Sequence, residues 1–511
     1  MSLFHAGLQP AIDSNGDPIS GATWNFYSTG TLTPAAVYAD SVGAVSLGAA
    51  VTANSVGRFA DIFLGGGVTY RAILKDAGGA TLADIDPAGD ASGDLTSDDL
   101  VRLTRLQTLQ KLADSIARTG GQLPAVMGTP PTIGAASAST GIATGTTWQF
   151  YTAGGVPQYD HMVTLLGGVW GGIAGTAPGN YTLAARNGYT GNGTDPLTNP
   201  TYGGVMRFAC EAPELELWVR CVAAGSGDGI RVKVNGEYIK TGCIANDGFG
   251  LYRYIKLTFG SRAMRYFELD CGGSAYLVGI RTANEYKPMP WPQPDGLRGL
   301  IHGDSFVWTV SDSGDDDTGL SGPLGITLRN LLGQSDTIAC GIGGAGWMAP
   351  VVKDRSWFND AVAANVVARA PDFIIEHGGG NDSSLSFTQA EYQALVETWL
   401  SAVLTAKPET IIFMAGPVII SEPGAQHLVI AAAKQAAAAL YPKNVAYLDN
   451  FTDKWVFGTG RQGATVGNGN RDWVCGTDNG HPTMEGHVAL AGRITRAVSE
   501  GVATLTAANL A

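Results

Sequence analysis

Residues 299–309 read GLIHGDSFVWT. An apolar pair, Leu300-Ile301, runs into His302-Gly303-Asp304-Ser305, and apolar residues return with Phe306, Val307 and Trp308. A strand that stops at a glycine turn and restarts as a helix is the repeating step of an α/β sheet. The serine at the turn has two readings: a cap for the new helix, or a nucleophile raised on a sharp bend. Ser305 alone does not choose between them. The rest of the chain must supply or withhold a base and an oxyanion hole.

Downstream, short apolar runs alternate with helical patterns. Strands are predicted at 297–302, 337–340, 372–377, 410–415 and 444–449, with helices at 323–332, 358–369, 388–406, 426–440 and from 484 into the 490s. Thr388 with Glu391 is a capping-box pair, and Pro408 stops that helix. Such alternation implies a three-layer α/β domain over 297–511, with a parallel sheet covered on both faces. Ligands in such sheets bind at the carboxyl ends of the strands.

Upstream, the proline-rich KPMPWPQPDG at 287–296 marks a boundary. Before it, 141–290 carries Trp148, Trp170 and Trp218 and alternating stretches at 215–222 and 230–234, which reads as a β-sandwich-like domain, a candidate carbohydrate-binding one. Residues 91–140 form a helix and a linker. The helix, 96–119, opens with Thr96 and Asp99 and places Leu100, Leu103, Leu106, Leu109, Leu112 and Ile116 on one broad face. Self-association and packing on a neighbouring domain are both open for that face. Residues 1–90 are β-rich, with strands at 22–27 and 69–74 and a hairpin signal at Asn15-Gly16. The fold class is therefore multi-domain.

Bulk properties narrow the partners. The 511 residues carry a net charge of −13, which argues against nucleic acid and against an anionic membrane. The start lacks the basic and apolar segments of a signal peptide, and apolar runs such as 410–420 are too short to span a bilayer. The six cysteines, at 210, 221, 243, 271, 340 and 475, contain no C-x-x-C pair. Free buried thiols and a disulfide in the middle stretch both remain open, the first favoured by the missing export signal. The acidic run at 311–317 lacks EF-hand spacing and reads as a solvated loop. No metal-ligand or phosphate-loop spacing appears, so no cofactor is expected.

The predicted strand ends carry four blocks: Gly303-Asp304-Ser305; the glycine block 340–346, CGIGGAG; Gly378-Gly379-Gly380-Asn381-Asp382; and Asp478-Asn479-Gly480-His481-Pro482 before the last helix. In this order they resemble the SGNH (GDSL) hydrolase family over about 297–511. The resemblance implies Ser305 as nucleophile, His481 as general base and Asp478 as its orienting carboxylate. It also implies that the Ser305 amide, Gly344 and Asn381 are oxyanion donors. The family's serine-glycine pair is glycine-glycine here, so Gly341 and Gly346 stay open as alternatives to Gly344. The chemistry agrees, because a serine hydroxyl needs a neutral imidazole to take its proton. Asp478, three residues before His481 across an Asn-Gly turn, can fix the tautomer that faces the serine. An amide such as that of Asn381 can stabilise an oxyanion by ~3 kcal/mol. His302 and His377 read as sheet-end residues beside the blocks, and Asp304 as a brace for the turn. Trp308, Trp347 and Trp473 flank three blocks and are candidates for a sugar-stacking wall, with core packing as the alternative.

The first 90 residues resemble the head-binding modules that begin bacteriophage tail fibre and tailspike proteins. The likeness is carried by Asp13–Gly21 (D-x-N-G-x-P-I-x-G), Phe26–Thr31 (F-Y-x-x-G-T), Val37–Asp40 (V-Y-x-D), Gly57-Arg58-Phe59 and Tyr70–Asp76 (YRAILKD). It implies a virion-borne chain attached to tail proteins, removing acyl groups, acetyl first among them, from a host surface polysaccharide. Trimers are common among such spikes, and a homotrimer fits the 96–119 helix. No β-helix repeat is visible, so cleavage of the polysaccharide backbone is not expected.

Overall fold

The computed structural model describes residues 2–510 apart from 5–6, 8–9, 14–16, 41, 66–68, 91–96, 151–157, 167–168, 173–180, 187–203, 222–229, 243, 245–250, 272–274, 292–295, 309–323, 335, 342–345, 349–369 and 465. The chain divides into two compact units, Met1–Val101 and Arg102–Ala511. The first holds two four-stranded antiparallel sheets. In one of them Thr23–Ser28 pairs with Thr69–Lys75. Alternation along the strand turns Trp24 and Phe26 inward, where they meet Phe4 and Tyr70.

Helix α1 (Ser97–Thr119) buries Leu109, Leu112 and Ile116 in one cluster with Leu328, Leu331 and Leu332 of the C-terminal region. The hydroxyl of Ser115 donates to the Gly333 carbonyl at 3.0 Å, and that of Thr119 donates to the Leu331 carbonyl at 2.6 Å. The C-terminal half of its apolar face is thus covered by a neighbouring domain, whereas Leu100 and Leu103 stay exposed.

Two antiparallel sheets follow, of five and six strands, with one core between them. Core residues such as Leu215, Leu217 and Val219 alternate along Glu214–Cys221 with Glu216 and Trp218 on the other face, where Glu216 is buried against Thr140 and Gly141. In the core Phe208 and Phe267 stack at 4.6 Å. Segments from the expected linker and from the proline-rich stretch also join these sheets. Thr132–Ile133, in the expected linker, pairs with the edge strand Tyr252–Thr258, and Met289–Pro290, in the proline-rich boundary, pairs with Phe208 and Ala209. Open sheet edges leave backbone groups unsatisfied, and these passing segments satisfy them.

The C-terminal sheet consists of β1 (Gly299–Gly303), β2 (Thr337–Gly341), β3 (Phe373–Glu376), β4 (Ile411–Ala415) and β5 (Val445–Leu448), all parallel, in the order β2-β1-β3-β4-β5. The described helices around it are α2 (Ser305–Trp308), α3 (Leu324–Leu332), α4 (Gln389–Ala406), α5 (Ala425–Ala439), α6 (Arg471–Val474) and α7 (Met484–Leu510). The helix expected at 358–369 and the acidic run 311–317 lie outside the described residues. The capping box forms as read: Thr388 accepts from the Glu391 amide, and the Glu391 carboxylate accepts from the Thr388 amide. Phe373, Ile375, Ile411 and Phe413 face one core, and Ile374, Ile412 and Met414 face the other. Each such side chain stabilises the fold by about 1.5–3 kcal/mol. That double burial is why the strands read as continuous apolar runs.

Between the antiparallel sheets and α3 lies a buried polar cluster. Lys233 Nζ donates to Glu268 at 2.6 Å and to Asn330 Oδ1 at 2.7 Å, and lies 3.6 Å from Asp270. Asp270 also pairs with Arg329 and accepts from Tyr238 Oη at 2.9 Å. Burial alone would lower the Lys233 ammonium, but Asp270 and Glu268 hold it above its ordinary value.

Candidate active site

The strand order reverses between β1 and β3, and the crevice at such a reversal is where open α/β sheets bind ligands. Ser305 begins α2 two residues after β1, and the Val307 amide closes the turn on the Asp304 carbonyl at 3.1 Å. Gly303 permits that bend. A Cβ there would stand 2.7 Å from the His377 ring and 2.8 Å from Val307.

The histidine arrives from the far end of the chain. Asp478 Oδ1 accepts from the amides of Gly480 at 2.7 Å and His481 at 2.8 Å, folding Asp478–His481 into a tight turn with Asn479 at φ 64°. Asp478 Oδ2 meets His481 Nδ1 at 2.5 Å, and His481 Nε2 lies 3.0 Å from Ser305 Oγ. Burial would raise the Asp478 carboxyl, but the hydrogen bonds from the His481 ring and the two amides hold it below the usual carboxylate range. An ionised Asp478 accepts a hydrogen bond from Nδ1–H, which keeps the proton on Nδ1 and leaves Nε2 to accept from the serine. Side-chain exposures of 28% for His481 and 34% for Asp478 leave the chain of groups open to a substrate.

Sequence reasoning passed over Arg471, the buried clamp on this loop. Its Nη2 donates to Asn479 Oδ1 at 2.7 Å, its Nε to the Ile420 carbonyl at 2.6 Å and its Nη1 to the Gly460 carbonyl. Nothing in the run Arg471-Asp472-Trp473 sets this arginine apart from a surface one, because its acceptors come from distant loops.

The other expected residues fall as follows. Asn381 stands on the short 3-10 turn Gly380–Ser384 after β3, its Nδ2 3.5 Å from Asp304 Oδ2. Asp304 is buried, which pushes its carboxyl up to about 6, and it accepts from the Phe306 amide at 3.2 Å, the brace read from the sequence. Gly344 lies outside the described residues, and so does the side chain of Trp308. Trp347 requires a correction. It is only 3% exposed, packed edge-on to Trp399 at 5.7 Å, so it is core and presents no wall to a sugar. A large apolar surface beside α4 and α5 has more to gain from burial than from a wet cleft. Trp473 is 47% exposed. His302 and His377 are fully buried, which pushes both down to about 3 and keeps them neutral. Cys210 and Cys475 are buried free thiols. Among the described residues no His, Cys, Asp and Glu cluster could hold a metal, and no helix is long and apolar enough to cross a membrane.

No family model and no curated protein matches the chain. Solved structures of similar fold include a family two carbohydrate esterase from Cellvibrio japonicus, at 14% identity and TM-score 0.48, covering 71% of this chain and 100% of that one. A GDSL-like lipase from Bacteroides ovatus aligns at 13% identity and TM-score 0.45, covering 67% of this chain and 98% of that one. An acetyl xylan esterase from the rumen bacterium Butyrivibrio proteoclasticus aligns at 12% identity and TM-score 0.43, covering 70% and 100%. These are likenesses of fold, and the functional reading below stands on the geometry of the site.

Proposed function

We propose that this protein is a serine carboxylic ester hydrolase that removes O-acyl groups, chiefly O-acetyl, from a bacterial surface polysaccharide. The observation that carries the reading is the unbroken chain Ser305 Oγ, His481 Nε2, His481 Nδ1, Asp478 Oδ2, with steps of 3.0 and 2.5 Å, at the crevice of a parallel sheet. Ser305 Oγ attacks the ester carbonyl as its proton passes to His481 Nε2. The tetrahedral oxyanion collapses, the C–O bond to the sugar breaks, and the His481 proton goes to the departing sugar oxygen. Water then attacks the acyl carbon as the same nitrogen takes its proton, the bond to Ser305 Oγ breaks, and that proton passes to Oγ as the free acid leaves. Asp478 stabilises the imidazolium in both halves.

The carbohydrate substrate and the place of the chain on a phage tail are supported by the tail-module likeness of residues 1–90. The half-exposed Trp473, five residues before Asp478, suits stacking on a pyranose face. On this reading the partners are an acetylated polysaccharide and tail proteins, and the chain acts from the virion, as a homotrimer if spike-like. A broader esterase is the alternative, and it would show no preference for acetylated glycans. A binding-only fibre with a relic hydrolase fold would have no reason to keep the three groups in line. Acetate release from acetylated bacterial polysaccharides, compared with hydrolysis of longer acyl p-nitrophenyl esters, tests the substrate. Faster turnover of the long-chain esters, with no acetate from any glycan, would reject the deacetylase reading.

A further inference from the structure

A cavity of about 880 Å³ lies between the C-terminal half of α1, the strand Gly204–Cys210 and the segment that enters β1. Arg207 lines it and is only 7% exposed. In the six-stranded sheet Arg207 stands directly opposite Glu268, which stands opposite Lys233. Lys233 Nζ donates to Glu268 Oε1 at 2.6 Å. Arg207 Nε lies 3.2 Å from the other oxygen, Oε2, yet Nε and Nη1 are both buried without a hydrogen-bond partner. The guanidinium carbon sits 3.4 Å from the centre of the Trp291 ring, so one face is covered and the N–H edge is left for an acceptor. Three cations, Arg207, Lys233 and Arg329, thus share two carboxylates, Glu268 and Asp270. Burial pulls the Arg207 guanidinium below its ordinary value, and Glu268 opposes this only in part. Arginine keeps its proton, and a buried charge without a full partner is costly.

The same cavity is lined from α1 by Lys111 and Arg118, seven residues apart on one helix face. Both are exposed and form no ion pair among the described residues. The acidic group beside them is Asp114, whose Oδ1 accepts from Gln110 at 2.8 Å. Three positive groups and one negative make this lining basic, in a chain whose net charge is −13. Gln334, also in the lining, accepts from the Leu297 amide through Oε1 at 3.1 Å and keeps its Nε2 hydrogens for another acceptor.

We propose that this cavity binds an oxyanion, a carboxylate or phosphate group carried on a sugar-sized molecule, with Arg207 as the buried donor and Lys111 and Arg118 as outer ones. A guanidinium edge can meet such a group through two parallel hydrogen bonds. The volume falls in the range of ~300–1,000 Å³ typical of small-ligand sites, far more than a bare ion fills. The cavity shares no residue with the Ser305, His481 and Asp478 group, and the proposal does not depend on the hydrolase reading.

Calorimetric titration of the full chain at low chloride with glucuronate, glucose 6-phosphate, inorganic phosphate and glucose tests it. Glucuronate or glucose 6-phosphate should bind, the tighter of the two telling carboxylate from phosphate, and glucose should not. Arg207→Gln should weaken binding about 10–100-fold, the worth of hydrogen bonds to a charged group. Lys111→Gln combined with Arg118→Gln should weaken it about 3-fold, and this surface variant keeps the proposal testable if Arg207→Gln does not fold. Ser305→Ala should bind as wild type. The proposal is overturned if neither sugar anion binds at up to ~20 mM, far above a millimolar Kd. Binding of inorganic phosphate alone, equal binding of glucose, wild-type affinity in the Lys111 and Arg118 double variant or in a folded Arg207→Gln, or loss of binding in Ser305→Ala would overturn it too.

Discussion

Two polar clusters in this molecule use similar groups to opposite ends. At the junction of the antiparallel sheets with α3, Lys233, Glu268, Asp270 and Arg329 are almost entirely buried, and each charge faces an opposite one. At the rim of the parallel sheet, Ser305, His481 and Asp478 remain partly open. Dense buried charge marks the first as a structural joint. The second has fewer charges, but its hydrogen-bonded chain runs from a hydroxyl to an imidazole to a carboxylate, and a substrate can reach it. Density of charge is therefore a poor guide to function, and direction and access are better ones.

The sharpest break of that contrast is Ser305→Ala. It is expected to lower kcat by about 10⁶-fold while Tm stays near wild type; equal p-nitrophenyl acetate rates would remove the mechanism. Asp478→Asn should cost about 10⁴-fold, because the neutral amide favours the wrong imidazole tautomer. A loss confined to KM would contradict that role. At the other cluster, Lys233→Met leaves two buried carboxylates short of a partner and should destabilise by about 3–5 kcal/mol in urea unfolding. Activity per active site should be unchanged, and a large loss there would mean that the joint and the rim are coupled.

Asp304 sharpens the comparison, as a rim group without a full counter-charge. Its folded value of about 6 lies above the unfolded one, so its contribution to stability is present below an unfolded value of ~3.9 and is lost as pH rises through about 6. Asp304→Asn should therefore gain on wild type from pH ~4 to pH ~8, by up to about 3 kcal/mol. A difference that does not vary with pH would show that Asp304 does not titrate in this range. The smallest effect is expected at the surface. Trp473→Ala should raise KM for an acetylated glycan about 5-fold, equivalent to ~1 kcal/mol of stacking, and leave p-nitrophenyl acetate turnover near wild type. An unchanged glycan KM would remove the stacking role.

Much of the C-terminal domain was legible in the chain because its signals are local. The runs at 300–301, 373–376 and 411–415 are apolar throughout since both sheet faces are covered, and Thr388 with Glu391 announced α4 three residues at a time. The blocks around Ser305, Asn381 and His481 were legible by their order. Other features had no local signal. Trp347 sits beside a glycine block as a cleft residue would, and only the presence of Trp399 and Tyr392 around it shows that it is core. Arg471 owes its role to acceptors on distant segments. Thr132–Ile133 looked like linker because its strand partner lies more than a hundred residues away.

By itself the sequence determined the kind of layers, the order of the blocks and the identity of the groups able to do chemistry, since hydrophobic period, turn residues and side-chain chemistry are properties of short stretches. Tertiary structure alone decided which imidazole faces Ser305 and which tryptophan is buried. It also decided which half of α1 is covered and which arginine ties distant loops together. Those depend on distances between residues far apart in the chain, and only packing fixes such distances.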